Sequence, residues 1–337
     1  MKGKALKTAA ASTGLLLLIL DHKTAAIGIQ QGIELCLKTL IPSLFPFCVL
    51  SILVTGGLLG NQIHFLAPLS RFCRIPSGCE SLLLIGWIGG YPVGAQNVAE
   101  AYRTKRISSK DASRMIIICN NAGPAFIFGI IGSIISNTGL LWLIWGILIL
   151  SSSLTGHLIP GGCSLPVRLN CSDSISFPDA IRRGANNMLI ICSNVILMRM
   201  CLEFLSIWLL NTSSIIVKVI LSGILELTNG CVLLSTVQNT DLRCIIAVCL
   251  LSFGGICVWL QTCAICREID ITNYLKWKLV QCIISVFLFL SFLLVRTFTM
   301  LRFFIPFIGL IFFLFLKEKK KSIAISNSMM YNNESKI

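Results

Sequence analysis

Charge is what this chain has least of. Of its 337 residues only 12% are Asp, Glu, Lys or Arg, while 55% are hydrophobic. A soluble globular domain carries about 25% charged residues. Half that density cannot cover a surface that faces water on all sides, so most of the exterior must face lipid. Histidine is scarce too: His22, His64 and His157 are too dispersed to hold zinc. Sixteen cysteines are present, yet the only CxxC spacing is Cys263 to Cys266, with no second pair or histidine partner. Others, such as Cys119, Cys192, Cys249 and Cys282, sit in apolar stretches, where a free thiol behaves as a small hydrophobe. A nucleophile elbow, a phosphate loop, paired catalytic carboxylates and a metal-ligand cluster are all missing, and Ser151-Ser152-Ser153 precedes no base. The expectation is a non-enzyme without resident metal or cofactor.

What is there is a succession of apolar runs: 8–20, 39–60, 81–102, 113–135, 138–158, 185–210, 215–238, 242–265, 279–295 and 301–316. At about 20 residues per crossing, they predict an all-α polytopic membrane protein. Met1 to Lys7 is basic and the next run is short, as in a signal peptide. That run ends in Asp21-His22-Lys23 with no small-residue cleavage site, so a short first membrane helix is expected. The net charge of +14 lies between the apolar runs rather than in one patch. Loops retained in the cytoplasm collect Lys and Arg in this way. The expected partner is therefore the bilayer and not a nucleic acid.

Four of the runs carry breakers. Gly86, Gly89, Gly90, Pro92 and Gly94 fall inside 81–102, followed by Gln96, Asn97 and Glu100. Asn120-Asn121-Ala122-Gly123-Pro124 interrupts 113–135, Glu226-Leu227-Thr228-Asn229-Gly230 interrupts 215–238, and Ser252-Phe253-Gly254-Gly255 softens 242–265. Irregular backbone at membrane depth is tolerated only inside protein or against a water-filled cavity. The order reads as re-entrant hairpin, broken span, hairpin, broken span: an internal repeat of architecture.

Basic residues test whether the copies are inverted. With a cytoplasmic N-terminus, the segments 1–7, 61–76, 103–114, 159–184, 266–278 and 317–337 lie inside and hold 21 of the 28 Lys and Arg. Arg103, Lys105, Arg106, Lys110 and Arg114 follow the first hairpin, whereas only Arg243 follows the second. An inverted repeat predicts that asymmetry. The expected organisation is an N-terminal helix and interfacial segment over 1–38 and a first repeat over 39–158. A cytoplasmic linker at 159–178, a second, inverted repeat over 179–300 and a C-terminal apolar segment and basic tail over 301–337 follow. Both termini are expected in the cytoplasm.

Paired hairpins and broken helices in inverted halves are the construction of many secondary transporters, with the site near the midplane. Half-helix ends offer free N–H groups or free carbonyls to ions without placing a full charge in the membrane. Amides at Gln96, Asn97, Asn120, Asn121 and Asn229, with Thr228, can select a polar solute. Glu226 lies deep in an apolar run, where an ionisable group points to function. It is expected to bind a coupling cation, carry a proton or touch solute; a coupling proton or sodium ion suits the pattern. Arg199 and Glu203 share a helix face. They predict a structural ion pair, with an anion-binding Arg199 as the alternative. The pattern leaves a homo-oligomer open.

At Gly89-Gly90-Tyr91-Pro92-Val93-Gly94-Ala95 and Asn120-Asn121-Ala122-Gly123-Pro124, the chain resembles bacterial nucleoside-recognition gate domain proteins. Among these it is most similar to the sporulation integral membrane proteins associated with stage V sporulation and dipicolinate passage into the forespore. Glu226, Thr228 and Gly230, and Ser-Phe-Gly-Gly at 252–255, fit the same pattern, while Ala122 and Ala125 depart from it. The resemblance implies a solute site drawn from Gly89, Gly90, Tyr91, Pro92, Gly94 and Gln96 of the first element and Asn120, Asn121 and Gly123 of the second. Glu226, Thr228, Asn229 and Gly230 come from the third, and Gly254 and Gly255 from the fourth. It further implies a small polar or anionic solute, dipicolinate first, and the outer forespore membrane. A nucleoside or nucleobase carrier and a non-transporting scaffold of a sporulation complex are the rival readings.

Overall fold

The structure, a computed structural model, describes residues 2–58, 63–160, 175–207 and 214–297. Regular structure among them is entirely helical. The chain forms two compact units, Met1–Leu288 and Phe289–Ile337. In the second, the rings of Phe289 and Phe292 lie 6.1 Å apart on the last described helix.

Among the described residues five helices are long and apolar enough to cross a membrane: His22–Val54, Thr138–Leu158, Phe177–Leu205, Thr240–Ile265 and Tyr274–Arg296. Helix α1 (Lys2–Leu20), expected as a short first span, is helical but falls outside these five. The 301–316 run lies outside the described residues. Helices α2 (His22–Leu35) and α3 (Ile41–Leu58) are joined by a π-helical stretch, Cys36–Leu40, so that the helix is continuous. Asp21 caps α2 by accepting from Thr24 N (3.1 Å) and Thr24 Oγ1 (2.7 Å), and these bonds hold its carboxyl below the usual range.

After α4 (Ala67–Phe72) come three short helices, α5 (Glu80–Gly89), α6 (Val93–Arg103) and α7 (Ser109–Cys119), then a π-helix at Ala125–Ile131 and α8 (Thr138–Leu158). The second half runs α9 (Phe177–Leu205), α10 (Ile215–Leu225), α11 (Leu227–Leu233), α12 (Thr240–Phe253), α13 (Gly255–Ile265) and α14 (Tyr274–Thr297). Starts are marked by short polar caps. Ser108 accepts from Asp111 N and Ser176 from Asp179 N, each with its hydroxyl returned to the aspartate, while Asn137, Ser214 and Asn239 cap α8, α10 and α12.

Each stretch of breakers singled out in the sequence is a break in helix. Gly90, Tyr91 and Pro92 separate α5 from α6; Asn120 to Pro124 separates α7 from the π-helix; Glu226 separates α10 from α11; Gly254 separates α12 from α13. A buried core of Leu82, Leu83, Val98, Ile116 and Ile118 locks α5, α6 and α7 together. Helices α2 and α9 meet at Gly28 and Gly32, where a Cβ would lie 2.7 Å from Met200 Cα and 2.8 Å from Ile196 Cα. Small residues four apart allow such close approach in a membrane. Ile283 and Phe287 of α14 are each 69% exposed, as a lipid-facing stripe requires.

Candidate functional site

The four breaks, far apart in sequence, meet. At the first, Gly90 turns with φ +64° and ψ −161°, a conformation closed to residues with a Cβ. A Cβ there would lie 2.6 Å from Gly123 N, so the first break sits backbone against backbone on the second. Tyr91 reaches the fourth: its hydroxyl donates to the Leu251 carbonyl at 2.7 Å and would lie 3.2 Å from a Cβ on Gly254. A Cβ on Gly255 would in turn lie 2.9 Å from Gly223 O and 3.4 Å from Leu227 N, at the third break. One cavity of ≈ 50 Å³ is lined from all of these regions. Gly89, Gly90 and Tyr91 come from the first break, and Gly123 and Ala125 from the second. Glu226 and Thr228 come from the third, Gln261 from α13 beyond the fourth, and Ile191 and Val195 from α9.

Glu226 is buried, and its extended backbone makes it the N-cap of α11. Its carboxylate accepts from Thr228 N (3.0 Å), Asn229 N (2.7 Å) and Asn229 Nδ2 (2.9 Å). Among the described residues no cation pairs with it. Its hydrogen-bond donors come from the first turn of the short helix and from the Asn229 side chain instead.

The second break is held differently. Asn120 Nδ2 donates to Thr262 Oγ1 (2.9 Å) and the Tyr274 hydroxyl (3.0 Å), and Asn121 Nδ2 to the Ile118 carbonyl (2.5 Å). Lys278 Nζ donates to Asn120 O (2.6 Å), Asn121 Oδ1 (2.8 Å) and Gln281 Oε1 (2.9 Å). Gln281 Nε2 donates to the same Asn121 oxygen at 2.7 Å. In sequence Lys278 counts among the cytoplasmic loop cations; in the structure it is 0% exposed. The missed signal is a spacing: Tyr274, Lys278, Gln281 and Ser285, all buried, recur at the helical period along one face of α14.

Not every candidate joins the cavity wall. Pro92, Gly94, Asn120, Asn121, Asn229, Gly230, Gly254 and Gly255 are not in its lining, and Gln96 lines a second cavity instead. Gly94 packs on the Cys119 carbonyl and Gly230 on Gly223, each too close for a Cβ. Arg199 is not among the lining residues, although Val195, one turn away on α9, is: it donates to Gln31 on α2 and lies 3.4 Å from Glu203, the ion pair that the sequence predicts.

A larger cavity of ≈ 700 Å³ lies along α6 and α9, lined by Gln96, Asn97, Glu100, Arg103, Arg106, Arg183, Asn186 and Asn187. Three arginines face one carboxylate, so this vestibule favours anions. Gln96 and Asn187 bridge α6 to α9 with reciprocal amide bonds of 2.6 and 3.3 Å. The residues of α9 that line the vestibule (183–190) run directly into those lining the small cavity (191 and 195).

Helices long and apolar enough to cross a membrane, joined to shorter apolar helices whose breaks pack together around a cavity, define a multi-pass α-helical integral membrane protein. No family profile matches the chain, and no solved structure matches it. It is similar to the sporulation integral membrane protein YlbJ of Bacillus subtilis (strain 168), at 26% identity over an alignment of 304 residues covering 75% of this chain and 73% of that protein.

Proposed function

We propose that the chain passes a small polar organic anion across the membrane, and that the anion is dipicolinate moving into the forespore during sporulation. The observation that carries this reading is the packing of four helix breaks against one another, three of them lining one cavity, with an arginine-lined vestibule beside it. In this reading α5–α6 and α10–α11 are two re-entrant hairpins, and α7 with its π-helix and α12–α13 are two broken spans. The halves are inverted, with the vestibule on the cytoplasmic side. Similarity to a sporulation integral membrane protein supports a sporulation setting; an outer forespore membrane, with both termini in the cytoplasm, completes the reading.

The small cavity is in a closed state. A site of ≈ 50 Å³ holds a few water molecules, each needing about 10–15 Å³, while organic ligands occupy roughly 300–1,000 Å³. Solute therefore waits in the vestibule until the breaks separate. Purified protein in liposomes tests the reading: dipicolinate uptake should exceed that of empty liposomes and resist competition by uridine. Uridine uptake without dipicolinate uptake would make the protein a nucleoside carrier. No flux of either solute would leave a membrane scaffold.

A further inference from the structure

Lys278 is the one fully buried ammonium among the described residues, and no carboxylate is paired with it. Its partners are three neutral oxygens, at 2.6 to 2.9 Å. One is the carbonyl of Asn120, where α7 ends and the negative pole of its dipole is exposed. A fourth oxygen at the same place, Asn120 Oδ1, is buried and has no donor among the described residues. The Tyr274 ring adds its face, with the ammonium 5.7 Å from the centroid.

An isolated ammonium in an apolar interior is costly, and an apolar side chain of similar volume would pack there without that cost. What surrounds it is a cation cage: backbone and amide oxygens at the end of a broken helix, the group that coordinates free cations where membrane helices unwind. We propose that this cage is a monovalent-cation site which the chain fills with its own lysine, so that the protein works without a dissolved sodium, potassium or ammonium ion at this break. The tethered charge holds Asn120 and Asn121 in place, and with them Gly123, the wall that the second break gives to the small cavity.

A lysine that merely packs leaves no ion site behind when it is removed, and this separates the two roles. The purified full chain is melted in choline chloride and in sodium, potassium and ammonium chloride of equal ionic strength. The native protein should melt at the same temperature in all four. Lys278→Ala should melt lower in choline and recover by several degrees in at least one of the small cations, because an ion that binds only the folded state stabilises it. Lys278→Met, which refills the space without charge, should show no such recovery. Stabilisation of the native protein by a small cation over choline, or no ion-specific recovery of the alanine variant, overturns the proposal. Should the alanine variant not survive purification in choline, it is prepared in each of the other salts. Folded protein from one of them supports the proposal, and none from any of them overturns it. A second arm rests on the transport reading: Lys278→Ala uptake in liposomes should be lower than native uptake in choline and recover in the small cation that restores its melting, and equal loss in every salt overturns the proposal. Absence of all flux defeats the transport reading alone, since the melting arm still decides.

Discussion

Gly90→Ala should be among the most damaging single-methyl additions in this protein. Two effects combine. The backbone at φ +64° and ψ −161° belongs to a region that only glycine occupies comfortably, and forcing another residue into it costs about 1–3 kcal/mol. The new Cβ would also stand 2.6 Å from Gly123 N and 2.8 Å from Gly123 Cα, both backbone atoms that no rotamer change can move. Overpacking of that kind adds about 1–3 kcal/mol. The expected loss is thus about 4 kcal/mol, on the order of 10 °C in melting temperature. Gly146→Ala supplies the control, since it lies within α8 and a Cβ there has no neighbour within 4 Å. Exchanging glycine for alanine inside a helix gains about 0.5–1 kcal/mol. Tryptophan-fluorescence melts of both variants in the same detergent measure the difference. A Gly90→Ala protein that melts with the native one would mean that the first and second breaks do not touch.

Glu226→Gln keeps the size of the cap but turns one acceptor into a donor facing N–H groups, so a loss of about 1–3 kcal/mol in the melt is expected, and an unchanged melt would remove the cap from α11. If Glu226 also carries a coupling proton, solute binding should survive in that variant while pH-driven accumulation disappears; normal accumulation would end that role. Arg183→Ala should slow dipicolinate uptake severalfold at low salt and little at high salt, because vestibule charge acts through a screened field. Equal slowing at all salt concentrations would refute steering. Arg199→Ala, which strips two bonds to Gln31 and the pair with Glu203, should lower the melting temperature while leaving the apparent KM for dipicolinate unchanged. A raised KM would restore Arg199 to the solute path. Cysteine-accessibility labelling on a background without native cysteine should find 103–114 and 236–243 on opposite faces of the membrane; labelling from one face would end the inverted reading.

The breaks were legible because they use residues with few other uses at membrane depth. Gly90, Pro92, Asn120, Pro124 and Gly254 stand inside apolar runs, and the structure interrupts a helix at or beside each. That the breaks form one site was not legible. It depends on contacts such as Tyr91 to Leu251, which no local period encodes. Lys278 was lost for a different reason: it directly precedes an apolar run and follows Lys276, so charge counting assigns it to a loop. Only the spacing of Tyr274, Lys278, Gln281 and Ser285 marks the buried face of α14. The joining of 22–54 into one helix was equally hidden, since Glu34 and Lys38 look like the edge of a span but pair with each other on the helix surface.

The contact between Gly90 and Gly123 also governs how the molecule can move. A constriction closed by side chains widens by degrees as torsions hop between staggered wells. One closed by main chain on main chain has no torsion to spare. If the molecule passes a solute as proposed, this contact parts only when α5 and α6 shift as a body against the end of α7, and packed interfaces of this kind exchange between discrete arrangements rather than deforming continuously. Opening should therefore be rare, all-or-none and steeply dependent on temperature, a ratchet more than a valve.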